Sequence, residues 1–341
     1  MPFGGNDWLA LTQEPTLEPE LPICDPHHHF WDFRTQRIPY QRYLLHELAE
    51  DINSGHNVRS TVFVEARSMY RTDGPEETHP VGEVEFVQGL AAASATGLYG
   101  PGRAAAAIVG HANLNLGQRV EPVLDALRAA SPNRFRGIRH SVTWDPNPEV
   151  ENTAANKMEG QLGSDSFRAG AQVLARMGLS LEGWMFFPQM PELADFARAV
   201  PDLTIVLNHI GGLLRDGPYA NRDDEVLATW RSGIAAVAAC PNVTIKLGGI
   251  GMPRTGFDWH TREQPIGSEE LADSMAPFMN YCIEQFGPNR CMFESNFPVD
   301  KVSYSYNVMY NAFKRLSKDY SAAERASMLH DTAVRVYRID A

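Results

Sequence analysis

The feature that most constrains this chain is an alternation. Short apolar, β-rich runs are each followed by a longer amphipathic stretch, about eight times over. The runs are 21–25 (LPICD), 60–66 (STVFVEA), 104–111 (AAAAIVGH), 135–142 (FRGIRHSV), 179–185 (LSLEGWM), 203–210 (LTIVLNHI), 243–249 (VTIKLGG) and 291–295 (CMFES). Helical spacing of apolar residues occupies 84–94, 120–130, 167–177, 193–200, 225–239, 268–286 and 306–316. Apolar strands that alternate with helices of ten or so residues are βαβ units, and their strands lie parallel in one sheet. About eight such units is the number that closes an α/β (β/α)8 TIM barrel. An open, doubly wound sheet is the rival. It would usually carry a glycine-rich phosphate turn after an early strand, and neither GxGxxG nor GxxxxGK[ST] occurs. The GGIG at 248–251 follows a strand but has the wrong spacing.

Residues 1–20 are rich in Pro and Glu without periodicity and are expected to form an arm on the surface. Residues 21–341 then form one domain, the barrel with helices at its C-terminal end. No repeat and no Pro/Gly/Ser-rich linker divides it. The stretches 67–82, 143–163 and 250–268 are long βα loops and candidate lids. Cys24, Cys240, Cys282 and Cys291 lie far apart with no CxxC pair, which predicts reduced, buried thiols. The start, MPFGGNDWLALTQEPTLEPELP, has none of the basic, apolar and small-residue segments of a secretory signal. No stretch approaches the about 18 apolar residues of a membrane span. The expected location is cytoplasmic. With 30 Lys+Arg against 42 Asp+Glu the net charge is −12, which argues against nucleic acid and anionic membrane as partners. The expected partner is a small-molecule substrate, and a homo-oligomer stays open.

Chemistry concentrates where the runs end, which in a barrel is the catalytic face. Asp25-Pro26-His27-His28-His29 follows the first run, and alternation along an extended chain turns His27 and His29 toward one point, a metal-ligand spacing. Glu65 closes the second run, Arg139 and His140 the fourth, and His209 the sixth. Each alone is as readily a hydrogen-bonded structural group; together they converge.

The segments ICDPHHHFWD (23–32), RGIR (136–139), PQMPELADFARAVPDLTIVLNHIGG (188–212), NVTIKLGGIG (242–251) and CMFESNFPVD (291–300) resemble the amidohydrolase-2 branch of the amidohydrolase superfamily. That branch holds lactonases of sugar lactones and pyrone dicarboxylates, together with metal-dependent decarboxylases of aromatic acids. The resemblance implies that His27, His29 and His209 are the polar centre and the ligands of a divalent metal such as zinc, if one is bound. The departure is Asn296, which stands where the family usually has an aspartate that binds metal or water and acts as base. An amide is no base at neutral pH and a weaker ligand than a carboxylate. Either Glu294 or Glu65 replaces that base, or the site works without metal. The family's histidine after strand five is also missing, with Trp184 and Gln189 in that region.

Arg139 can clamp a carboxylate and Lys246 can steady an oxyanion, although a buried Arg139 also has reason to pair with Glu65 or Glu294. His140, Trp184 and Gln189 complete the expected substrate-binding set. Trp144, Trp259, Phe186 and Phe187 are further candidates for aromatic walls, though most aromatics are core. No GxSxG and no HExxH occurs, and no nucleotide cofactor is expected. The expected activity is hydrolysis of a lactone or related ester of a small cyclic or aromatic, carboxylated substrate by activated water. An aromatic-acid decarboxylase and a non-catalytic binding protein derived from the barrel are the alternatives.

Overall fold

A computed structural model describes residues 4–34, 39–151 and 158–340. Eight strands follow one another in sequence order, each parallel to the next: β1 (Pro22–His28), β2 (Asn57–Val64), β3 (Arg103–Gly110), β4 (Phe135–Arg139), β5 (Ser180–Gly183), β6 (Ile205–Leu207), β7 (Val243–Leu247) and β8 (Cys291–Phe293). The ring closes between its ends, where His28 bridges Phe297 and the His29 N–H donates to the Phe297 carbonyl at 2.8 Å. The chain is a (β/α)8 barrel.

The continuous apolar runs are explained by burial on both faces. Inward-facing Cys24, Val62, Val64, Ala107, Val109, Val206 and Met292 pack together in the lumen. Their neighbours of opposite parity, such as Phe63 and Ile108, join the shell between barrel and helices. Ala333, Val336 and Tyr337 of the helix Thr332–Tyr337 pack with the lumen cluster. The strands are shorter at their C-terminal ends than the apolar runs suggest, because the last residues of each run leave the ladder and turn over the mouth. β1 is the exception and continues through His28.

The helices 268–286 and 306–316 appear as Ser268–Phe286 and Tyr306–Leu316. The helix Leu45–Ile52 was not legible, since its eight residues give barely two turns of pattern. Residues 4–20 lie against the barrel: Glu14 Oε1 accepts the Ser268 N–H at 2.6 Å, and Lys314 Nζ donates to the carbonyls of Leu17 and Glu18 at 2.8 and 2.9 Å. The loop 250–268 carries the 3-10 turns Pro253–Thr255 and Trp259–Thr261. Positions 152–157 of the loop 143–163 lie outside the described residues. All four cysteines are buried and free. Among the described residues no helix is long and apolar enough to cross a membrane.

Candidate active site

The histidine run is sorted by a bulge. Between Asp25 and His28 β1 uses three steps where β2 uses two, and Pro26, which has no N–H to give a ladder, sits at the extra residue. His28 therefore faces outward, 2.8 Å from Thr61 Oγ1 and edge-on to Phe30. His27 and His29 face the barrel axis, with ring centroids 4.9 Å apart. His29 Nδ1 donates to the Val64 carbonyl at 2.7 Å, which leaves its Nε2 lone pair free.

His209 is set by the end of β6, where its own φ is +53°. Its Nδ1 lies 2.8 Å from Glu294 Oε1, which also accepts the His209 backbone N–H at 3.1 Å. An oxygen that already accepts the backbone N–H acts as acceptor for the ring too, so Nδ1 carries the proton and Nε2 the lone pair. Glu294 Oε2 lies 2.8 Å from His27 Nδ1 but off the line that a ring N–H needs, so this wholly buried oxygen receives no hydrogen bond. Two glycines make room for the arrangement. A Cβ on Gly248 would stand 2.4 Å from Glu294 Cγ, and one on Gly249 2.4 Å from His209 Cγ. The Gly-Gly step that fails as a phosphate motif is the space these two side chains occupy.

Beneath His27 lies a second charged layer. Lys246 Nζ is 3.3 Å from His27 Nδ1 and pairs with Glu182 at 2.8 Å, all wholly buried. Tyr337 Oη and Asn208 Nδ2 both donate to Glu182. Arg139 pairs with Glu65 at 2.9 Å, also donates to the Glu65 carbonyl, and brings Nη1 within 3.3 Å of His27 Nε2. Burial and the charges of Lys246, His209, His29 and Arg139 hold His27 well below the usual imidazole range, so it is neutral. Burial alone would raise Glu65, but Arg139, His111 and Arg67 together hold the carboxyl below its usual range.

Asn296, with φ +53°, donates from Nδ2 to Asp300 Oδ1 at 2.7 Å. Asp300 Oδ2 accepts the Gly251 N–H and the Tyr304 hydroxyl at 2.9 and 2.8 Å. Burial pushes Asp300 up to about 7. Asn296 Nδ2 is thus committed to Asp300, and the residue lines the cavity.

Above these residues opens a cavity of about 730 Å³, lined by His29, Glu65, Arg139, Trp184, His209 and Asn296 with Trp31, Arg34, Arg67, Met69, Met252, Arg254 and others. His27, Glu294 and Lys246 lie directly below it, buried. Two candidates are placed elsewhere. His140 Nδ1 accepts the Leu114 N–H at 3.2 Å, its ring packs on Phe167, and burial pushes it down to about 3. Gln189 braces the loops after β4 and β5, accepting from the N–H groups of Trp144 and Phe186 and donating to the Val142 carbonyl. Of the aromatic candidates Trp184 lines the cavity, its ring edge-on to His209 at 4.9 Å, whereas Trp259 stacks on Phe257 away from the lining. Sequence reasoning missed Glu182, an acid inside an apolar strand, and the loop residues Trp31, Arg34 and Arg67. Left-handed backbone occurs on the cavity at Phe33, Arg67, Met69, His209 and Asn296; His and Asn are residue types that favour it, whereas Phe33, Arg67 and Met69 give no sequence signal.

The chain matches the family model for amidohydrolases over residues 24–339, and it belongs to the amidohydrolase family. It is a hydrolase of that superfamily. An uncharacterised protein of Sinorhizobium fredii is 29% identical, covering 94% of this chain and 99% of its own. The L-fucono-1,5-lactonase of Burkholderia multivorans is 26% identical over 92% of this chain and 95% of its own. Among solved structures, a zinc-bound amidohydrolase of Burkholderia multivorans is 25% identical with a TM-score of 0.70, covering 93% of this chain and 99% of its own. An amidohydrolase 2 of Bifidobacterium longum subsp. infantis shares the fold at 21% identity and a TM-score of 0.57, covering 94% of this chain and 100% of its own.

The residues present suit a divalent ion. His27, His209 and Glu294 bring two imidazoles and a carboxylate together, with ligand atoms all within 4.8 Å of one another. Two such donors plus a carboxylate, with one position left open, is a catalytic zinc set. The buried Glu294 oxygen without a hydrogen bond is the kind of atom a cation would satisfy.

Proposed function

We propose that the protein hydrolyses a lactone or related ester of a small, ring-shaped, carboxylated substrate, with His209 at the centre of the reaction. The observation that carries this reading is the carboxylate-held imidazole at the cavity floor: Glu294 fixes the Nδ1 proton of His209 at 2.8 Å and so aims the Nε2 lone pair at the cavity. The relationship to a sugar lactonase supports the reaction class.

His27, His209 and Glu294 would hold a divalent ion, which when bound polarises a carbonyl and acidifies water. The chain's own groups have these roles. Glu294, wholly buried, hydrogen-bonded to His209 and set against His27, orients rather than touches substrate. Asn296 Oδ1 accepts a hydrogen bond from the attacking water and aligns it. Arg139, held by Glu65, presents positive charge beside His27 where the carbonyl oxygen gathers negative charge. Lys246 has no exposure, so it acts from beneath, keeping His27 neutral. Trp184 and Trp31 form flat walls for a ring. His29 Nε2 supplies a further acceptor at the mouth.

The test is a panel of sugar and aromatic lactones followed by proton release, with the protein chelated, then reloaded with zinc or manganese. One or more lactones should open, and His209→Ala, which gives up the ring's bond to the buried Glu294 and so melts lower, should abolish turnover in a protein that circular dichroism still shows to be folded. Full activity in that variant overturns the assignment of His209.

A further inference from the structure

Four arginines line the cavity, and three are already engaged. Arg139 is paired with Glu65. Arg34 lies over the Trp31 ring at 4.3 Å and donates to the Ala66 carbonyl at 3.3 Å. Arg254 lies over the Phe186 ring at 5.5 Å. Arg67 differs. Its side chain is exposed at the mouth and makes no hydrogen bond or ion pair among the described residues. Its backbone has φ +56°, a left-handed conformation that L side chains adopt reluctantly.

What holds that conformation comes from behind. Glu83, wholly buried on the helix Val81–Ser94, accepts with one oxygen the N–H groups of both Ala66 and Ser68, at 2.9 and 2.8 Å. These are the two residues that flank Arg67. A buried carboxyl gripping the chain on either side of a strained residue is a support for what that residue presents.

Resting on the reading of this cavity as the substrate site, we propose that Arg67 selects a carboxylated substrate at the cavity mouth, and that Glu83 is the positioning residue that fixes it there. A free guanidinium offers a planar fork to a carboxylate. The other lining arginines are stacked or paired and offer less. Burial and the neighbouring Glu65 carboxylate push Glu83 up to about 8. At neutral pH Glu83 is therefore largely protonated, and glutamine, which keeps the accepting oxygen, should replace it.

The experiment compares calorimetric binding of benzoate with that of benzamide, a ring of the same shape without charge. Wild type should prefer benzoate, and the preference should shrink as salt rises. In Arg67→Met the benzoate-to-benzamide ratio should fall about tenfold. Glu83→Gln should keep the wild-type ratio, and Glu83→Leu, if its thermal melt shows a folded protein, should lose it. A preference that survives Arg67→Met, or none in wild type, overturns the proposal. Loss of the preference in Glu83→Gln overturns the positioning role. Binding needs no turnover, so a protein that opens no lactone yet shows this pattern fails the proposed hydrolysis and not the assignment of Arg67.

Discussion

Gly248 has no chemistry of its own, and replacing it by alanine should nevertheless disable the site. The new Cβ would lie 2.4 Å from Glu294 Cγ and 2.5 Å from the Glu294 carbonyl oxygen, about 1 Å short of ordinary carbon contact. The backbone of Glu294 cannot retreat, because β7 and β8 are paired through Leu247 and Phe293 and the Glu294 N–H donates to the Leu247 carbonyl at 3.2 Å. The carboxyl must swing away from the new Cβ, which stretches its contacts with the His209 ring and backbone, and the clash with the fixed Glu294 carbonyl oxygen strains residue 248 itself. Overpacking of this kind costs about 1–3 kcal/mol, and each lost bond to a buried charged group about 1.5–3 kcal/mol. Gly248→Ala should thus lose about 3–5 kcal/mol of unfolding free energy in urea. A displacement of about 1 Å should lower kcat/KM by about 100-fold on whichever lactone proves best. Glu294→Gln separates the causes, since it removes the charge without adding volume and should lower kcat/KM with a smaller loss of stability. A Gly248→Ala protein with threefold or smaller change in kcat/KM and with stability within about 1 kcal/mol of wild type would refute the reasoning.

Three further outcomes are expected. Asn296→Asp restores the residue type usual in the family, yet here it sets a second carboxylate beside Asp300, at the present 2.7 Å spacing. The wild type already keeps the Asp300 proton up to about 7, and a second carboxylate holds it to higher pH while the unfolded chain has given it up, so the variant should lose stability relative to wild type as pH rises from about 7 to about 9; an equal loss at both ends, by thermal melts, counts against this. Acid should destabilise the wild type through His56, which burial and the Lys314 ammonium push down to about 4 from an ordinary 6.5. The unfolded chain binds its proton first, so stability falls as pH drops through that window, by at most about 3 kcal/mol for this group; a urea-derived slope of stability against pH that His56→Gln leaves unchanged would contradict it. Glu14→Ala removes the acceptor at the start of the helix Ser268–Phe286 and should lower unfolding free energy by about 1–2 kcal/mol, with the urea m-value unchanged.

The alternation of apolar runs and helical stretches made the barrel legible because each strand is buried on both faces and each helix on one. The strand ends carried much of the site for a related reason. His27, His29, Glu65, Arg139, His209 and Asn296 interrupt apolar runs, and polar groups there need partners or a cavity. The same signal is ambiguous between the two, and so His140 and Gln189 looked equivalent to residues that face the cavity: both found partners instead, among loop backbone and neighbouring side chains. Arg139 turned out to have both, a partner in Glu65 and a place on the cavity. Lys246 lay one layer too deep to meet a substrate, which depends on strand stagger and not on residue type. The glycines at 248 and 249 were visible but unreadable, because their purpose is the volume of side chains 46 and 40 positions away in sequence.

The contact between Tyr337 and Glu182 bears on how the protein is made. Glu182 is laid down little more than halfway along the chain, and Lys246, its ion-pair partner, follows 64 residues later. The phenol that completes its hydrogen bonds follows 155 residues after Glu182, on the helix that packs with the lumen cluster. During synthesis the eight strands can all have emerged while the charged interior beneath the histidines is still open to water at its lower end. The nascent protein is then a barrel in outline, and its charged interior stays wet until the helix Thr332–Tyr337 docks and shuts the floor.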